Sequence, residues 1–277
     1  MKKNAIQTVV LAALFFLSCP LLAQAGQELT LLIHPYMTSA EIHKKFSPLA
    51  DYLTKETGKK IVIKISKDYQ QHIDAVGKDQ MDLAYIGPSE YVTMTQKYGK
   101  KPLLACQEID GKPFLYGMII AKKDSPISSL TELAGKRLAF VSPQSTMYVV
   151  PRIMLQEAGV DLKQAAQTDF LNSHSNVALA VLNGYYDAGA VKDETYYAYQ
   201  ERGLKILAQT PPIHEHVFVA STLLPESLID ALQKALQSLH EPAVLTAIQP
   251  ALTGLVPVED SEYDTLRQIL KSTNQPP

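Results

Sequence analysis

"KRLAFVSPQSTMYVVPRIML" (136–155) is the stretch whose reading decides the fold. Lys136 to Ser142 reads as a strand, and from Ser145 onward Met147, Val150, Met154 and Ala158 fall at helical spacing. A strand that runs through a short corner into a helix is the unit of an α/β sheet. The corner, Pro143-Gln144-Ser145-Thr146, puts two adjacent hydroxyls where the helix begins. A hydroxyl there caps an orphan backbone N–H. The free N–H groups, the helix dipole and the hydroxyls also suit an anion. The loop by itself leaves both accounts open. Pro151 lacks an N–H for the turn behind it, so a kink is expected near the start of this helix.

The same alternation extends in both directions. Toward the N-terminus, "ELTLLIHPY" (28–36), "KIVIKIS" (60–66) and "MDLAYIG" (81–87) read as strands. Between them lie helical stretches at 39–58, which Pro48 must bend or divide, at 68–80, capped by Asp68, and at 88–99, with Pro88 and Glu90 in its first turn. Asp110-Gly111 is a turn signal between two strand-like runs. Toward the C-terminus come a short helix at "SSLTELAG", a strand at "TDFLN", a helix at "SNVALAVLNGYY", a strand at "DAGAV" and a helix at "ETYYAYQERG". The tail from Pro225 to Ser272 reads as mostly helical. Strands separated by helices indicate parallel-rich sheets covered on both faces. The extended segments 113–122 and 207–220 are unusually long and read as strands running between two lobes.

The first residues specify export. Lys2 and Lys3 precede an apolar run from Ala5 to Leu22, and Ala23-Gln24-Ala25 supplies the small residues of a cleavage site. Residues 1–25 are therefore expected to be a cleaved signal, with Gly26 as the mature start and the periplasm as destination. Cys19, after Phe16-Leu17-Ser18, is the alternative as a lipid anchor, but Phe16 is a poor fit to that motif. With Cys19 removed, Cys106 has no partner for a disulfide, and stability must come from packing. Lys and Arg number 26 against 28 Asp and Glu, with no basic block, which argues against a nucleic-acid partner.

Three loops would lie beyond the carboxyl ends of strands, where open α/β sheets bind ligands. They are Ile86 to Ser89, Ser142 to Thr146, and Asn172 to Ser175 with His174. A buried anion needs several donors to replace its water, so the convergence of these loops carries more than any one residue. Taken singly, Tyr69, Tyr85, Tyr91 and Tyr116 read as half-buried packing residues, and His174 as part of a helix start. His214 and His216, two apart on an extended segment, would face the same side and could share an ion, but no spacing fixes a third ligand. No nucleophile elbow, Walker loop or Cys-His signature is present, so no cofactor, metal or catalytic residue is expected.

Four fragments in order resemble the phosphate/phosphite/phosphonate substrate-binding proteins of ABC importers. They are "PLADYLTKETGKKIVIKISKDY" (48–69), "MDLAYIGPSEYV" (81–92), "KKDSPISSLTELAGKRLAFVSPQSTMYVVPRIML" (122–155) and "HSNVALAVLNGYYDAGAVKDETY" (174–196). The resemblance covers nearly all of the chain after the signal. It implies an α/β, type II periplasmic-binding-protein fold, with lobe 1 formed by 26–115 and 213–277 and lobe 2 by 116–212. It also implies a ligand in the cleft, closing over it by a hinge.

The resemblance assigns the anion loop to Ser145 and Thr146, a pocket histidine to His174 and a pocket tyrosine to Tyr69. It assigns an ammonium-holding carboxylate to Glu194, with Asp193 adjacent. Tyr36, Tyr85 and Tyr116 complete the candidate set, Tyr116 standing in for an aromatic that falls on Leu115. His216 stands where a second carboxylate is usual, and Met147 replaces a third hydroxyl. The anion half of the site is thus mostly kept and the amine half weakened. The expected function is capture of a phosphate-like oxyanion by a monomeric binding protein that serves a membrane permease. The alternatives are ligand presentation to a membrane sensor, or an enzyme using Cys106, whose apolar flank of Leu103, Leu104 and Ala105 reads instead as a buried thiol.

Overall fold

The computed structural model describes residues 28–271, so the export signal and Cys19 lie outside the described residues. The chain begins with β1 (Leu29–Ile33), α1 (Ser39–Thr57), β2 (Ile61–Ile65), α2 (Tyr69–Gly77), β3 (Leu83–Ile86) and α3 (Pro88–Tyr98). Strand β1 pairs in parallel with both β2 and β3, as helical connections require. Alternate residues of β1 explain its unbroken apolar run. Leu31 and Ile33 pack with Ile42, Phe46 and Leu49 of α1, whereas Leu32 packs with Ile73 and Val76 of α2. Helix α1 passes through Pro48 without dividing, and a Thr38–Glu41 capping box fixes its start.

Strand β4 (Leu103–Ile109) is followed by a turn in which Asp110 and Gly111 both have positive φ, 48° and 74°. This turn closes on a single Ile109–Lys112 bridge, after which the chain leaves the sheet. It passes through β5 (Phe114–Leu115) into β6 (Gly117–Lys122), β7 (Arg137–Phe140), α4 (Thr146–Glu157), β8 (Gln167–Phe170), α5 (His174–Leu182), β9 (Ala188–Lys192), α6 (Asp193–Tyr199) and β10 (Leu204–Gln209). It returns by β11 (Ile213–His214) to β12 (Val217–Ala220), α7 (Glu226–Gln237), α8 (Pro242–Ile248), β13 (Leu252–Val256) and α9 (Asp264–Lys271).

Two main sheets result. The six-stranded sheet has the order β13-β4-β12-β3-β1-β2 and the five-stranded sheet β10-β6-β9-β7-β8. Both are mixed rather than parallel-rich. Helix-connected neighbours run parallel, but β12 is antiparallel to β3 and β4, and β6 is antiparallel to β9 and β10. The reason is the route: strands reached by an extended crossing need no helical return and enter in the opposite sense. The crossings are β5 and β11, paired antiparallel through Leu115–Ile213 and Phe114–His214. The stretches 113–122 and 207–220 are therefore each split, with only this short ribbon between the sheets.

Two local expectations change. The stretch 128–135 forms only a single tight turn at Thr131–Leu133. The tail holds a strand, β13, which pairs with β4 more than 140 residues earlier. Helix α4 runs through Pro151 without a break.

Candidate functional site

Where the two sheets face each other, the starts of α3 and α4 meet. Ser145 is the N-cap of α4; its hydroxyl accepts from Met147 N–H at 3.2 Å and is hydrogen-bonded to the Tyr69 side chain from the opposite lobe. Ser89, in the first turn of α3, gives its hydroxyl proton to the Gln144 carbonyl at 2.7 Å. The 2.8 Å contact between the Ser89 and Thr146 hydroxyls therefore has Thr146 as donor, while Ser89 N–H donates back to Thr146 at 3.1 Å. The two hydroxyls that open α4 thus cap the helix and hold the lobes together.

Behind this seam lies a small cavity of about 20 Å³, walled by Gly87, Leu115, Met147 and the polar groups described below. A larger groove of about 430 Å³ lies elsewhere, around Tyr148, Arg152 and Lys163. The small cavity is the stronger candidate because buried polar groups converge on it. Tyr69, Ser145, Thr146, His174 and His216 line it together, as do His34, Glu90 and Lys192, which sequence reasoning did not single out as ligand contacts. Tyr36 and Tyr85 sit one layer back. Tyr36 meets His34 edge-on at 5.0 Å, and Tyr85 stacks on His216 at 5.0 Å and donates to Gln107 at 2.9 Å. Leu115 reaches the cavity and Tyr116 does not; the Tyr116 carbonyl instead accepts from Asp193 N–H at 3.0 Å. Glu194 also stands off the cavity wall, in a 3.1 Å ion pair with Lys45, and Asp193 accepts from Glu194 N–H at 2.8 Å.

The electrostatics are closely balanced. Lys192 pairs with Glu215 at 2.6 Å, and Glu215 is fully buried and also meets His216 Nδ1 at 2.6 Å. Burial alone would raise the Glu215 pKa, but the Lys192 ammonium and His216 hold it well below the usual carboxylate range. Burial would likewise lower Lys192, yet Glu215, then Glu194 and Asp193, raise it. His174 is lowered to about 3, first by burial and then by Lys192. Its Nδ1 accepts from Lys192 N–H at 3.3 Å, so the neutral ring carries its proton on Nε2. His34 Nδ1 and Glu90 Oε2 are 2.5 Å apart. Burial pushes Glu90 up to about 7 and His34 down to about 3, the behaviour of a pair that shares one proton and carries no net charge below about pH 7.

Glycine at 87 is required by space. A Cβ there would lie 2.7 Å from Glu90 Oε2 and 3.5 Å from His216 Nε2. His34, His72 and Glu90 bring three donor atoms within 4.8 Å of one another, the group of metal-ligand proximity found among the described residues. His72 Nδ1 is already engaged by Ser66 Oγ at 2.9 Å. His214 and His216 do not share a site. His214 packs on Phe114 and Tyr263, whereas His216 turns to Tyr85 and His34. Cys106 is fully buried, 3.6 Å from His214 Nδ1, and burial followed by Glu215 pushes its thiol far up, away from a reactive thiolate. Tyr91, expected half-buried, is completely enclosed and donates to Asp260 at 2.8 Å.

Comparison with known proteins places the chain in a family. A family model described as an ABC-transporter phosphonate periplasmic substrate-binding protein matches residues 31–263. The phosphate-import protein PhnD of Mycolicibacterium smegmatis is 29% identical over 280 residues, covering 89% of this chain and 86% of the relative. PhnD1 of Prochlorococcus marinus, solved in complex with methylphosphonate, matches with a TM-score of 0.80 at 20% identity, covering 89% of this chain and 98% of that one. A binding-protein component of a phosphonate ABC transporter from Pseudomonas aeruginosa gives 0.79 at 21% identity, covering 88% and 85%. The structural likenesses carry the fold, a type II periplasmic binding protein of mixed α/β sheets. With the family model spanning most of its length, the chain belongs to the phosphonate-binding periplasmic substrate-binding proteins of ABC transporters.

Proposed function

We propose that this protein captures a small phosphorus oxyanion of the phosphate, phosphite or phosphonate class in the interlobe cavity and delivers it to an ABC permease. The observation that carries the reading is convergence. The Ser145 hydroxyl, the Thr146 N–H at the start of α4, the Nε2–H of His174 and the Lys192 ammonium surround one small interlobe space. Such donors replace the water an oxyanion loses on entry. The lobes are taken as 26–115 with 213–277, and 116–212, turning on the β5–β11 ribbon. Across the seam run the Ser89–Thr146, Tyr69–Ser145, Lys45–Glu194 and Lys192–Glu215 contacts, which suit a cleft that closes on its ligand.

The protein acts as a monomer in the periplasm after removal of its leader and catalyses no reaction; the buried, unreactive Cys106 supports the last point. Calorimetry on protein refolded free of ligand tests the proposal, with phosphate, phosphite and methylphosphonate as probes. Saturable one-to-one binding of at least one probe is expected. Absence of binding for all three would overturn it.

A further inference from the structure

We propose that His216 is a specificity-determining residue of this cavity, and that the oxyanion binds together with one proton held between His216 Nε2 and a ligand oxygen. This rests on the reading of the cavity as an oxyanion site. The first observation is the orientation of the ring. Glu215 is a carboxylate and can only accept, so the 2.6 Å contact makes His216 Nδ1 a donor. A neutral His216 then keeps its lone pair on Nε2. That atom makes no hydrogen bond among the described residues and lies toward Gly87 on the cavity wall.

The second observation is the charge around it. Lys192, the cavity's ammonium, is matched by Glu215 at 2.6 Å. From β1, His34 faces the ring at 5.3 Å between centroids, with its proton shared with Glu90 of α3. Tyr85 of β3 stacks on it and Tyr36 lies 6.4 Å away, both held in the protonated form by burial. From lobe 2, His174 is uncharged. The groups facing the cavity therefore sum to no net charge below about pH 7, and to one negative charge once Glu90 ionises above it.

An oxyanion brought into such a space sets an oxygen lone pair against the Nε2 lone pair, away from water. A proton between them turns that repulsion into a hydrogen bond. Burial lowers the His216 pKa to about 4, with Glu215 opposing, so the proton is not present beforehand at neutral pH. Phosphate and phosphonate ionise a second time near neutrality and can carry that proton as P–OH. Below that ionisation the ligand brings the proton; above it, the proton comes from solvent. A sulfonate has no such proton to bring and would require an imidazolium close to Lys192. The site is therefore built for protonatable oxyanions.

The test is calorimetry of methylphosphonate binding in buffers of different ionisation enthalpy. At about pH 8.5, where the free ligand is a dianion, uptake of about one proton per ligand is expected, falling toward zero as the pH drops below the ligand's second ionisation. Methylphosphonate should bind about a hundredfold tighter than methanesulfonate. His216→Gln places an amide N–H where Nε2 stood, so proton uptake should largely vanish and the two ligands should converge to within about tenfold. Methylphosphonate binding without proton uptake in the wild type would overturn the inference and leave the proposed function standing. Uptake unchanged in His216→Gln would also overturn it. No binding of methylphosphonate, phosphate or phosphite would remove the oxyanion reading itself.

Discussion

The two walls of the cavity are built on different principles. The lobe 2 wall is made of helix starts: Ser145 and Thr146 open α4, and His174 opens α5 behind its cap Ser173. Apart from Lys192, its groups are neutral and set by local chain geometry. The lobe 1 wall is made of titratable side chains brought from separate elements: His34 after β1, Glu90 on α3, and Glu215 and His216 after β11. There, charges are cancelled in pairs rather than exposed to the ligand. One wall supplies hydrogen bonds at fixed positions, and the other controls how much charge and how many protons the cavity holds.

That contrast predicts its largest effect at the junction of the walls, Lys192. Lys192→Met leaves Glu215 buried beside His216 with its main counter-charge gone. Breaking a buried pair on one side costs about 3–5 kcal/mol, and chemical denaturation should show a loss on that scale. A loss under about 1 kcal/mol would mean that Glu215 simply takes a proton, and the balance described here would be wrong.

Substitutions on the lobe 2 wall should instead act on binding. Ser145→Ala removes a hydroxyl worth about 1.5–3 kcal/mol toward a bound anion, or roughly ten- to a hundredfold in Kd, and Thr146→Val, whose hydroxyl proton goes to Ser89, should weaken binding less. Ser145→Ala should also lower the melting temperature, because it removes the cap of α4 at a cost of about 1 kcal/mol. Thr146→Val loses its bonds to Ser89 as well, so part of its effect should be weaker lobe closure, readable as a smaller ligand-induced compaction in small-angle scattering. Unchanged affinity in both variants, with lowered melting temperature, would reduce this wall to helix capping alone.

The lobe 1 wall should declare itself through pH. His34, His174 and His216 have folded pKa values depressed to about 3–4 from 6.5. Their contribution is complete above pH 6.5 and is lost as the pH falls through the folded values, so stability should decline as acid is added below pH 6.5. Glu90 has the opposite sign. Its pKa is raised from 4.5 to about 7, so its contribution is present below 4.5 and lost as the pH rises through about 7. Glu90→Gln should flatten the alkaline side of the stability profile and leave the acid side in place. An unaltered alkaline limb would show that Glu90 is ionised in the fold.

The smallest effect is expected outside both walls. Cys106 touches His214 and Tyr263 rather than the cavity, so Cys106→Ala should leave methylphosphonate affinity within about twofold. A tenfold loss would tie the thiol to the site.

The same contrast explains what could be read in the sequence. Ser145, Thr146, His174 and Tyr69 lie at strand–loop–helix corners, where a few consecutive residues fix geometry, and all four line the cavity. His34 and Glu90 lie far apart along the chain and acquire meaning only when β1 and β3 pair, and Glu90 looked like an ordinary first-turn acid. Lys192 carried a signal that went unused: a lysine ending the apolar strand "AGAVK", where charge is costly without a partner. Leu115 rather than Tyr116 faces the cavity because β5 has two residues, too few for a period-two pattern to show its parity. Strand β13 was hidden for a similar reason. "LTGLV" is short, holds a glycine and takes its partner from β4, far away in sequence.

A crystal structure of the protein with methylphosphonate tests the central claim most directly. The phosphonate should lie in the small interlobe cavity, with its oxygens on Ser145, the Thr146 N–H that opens α4, His174 Nε2 and His216 Nε2. Phosphonate found instead in the open groove beside Tyr148, Arg152 and Lys163, with the interlobe cavity unchanged, would contradict the account.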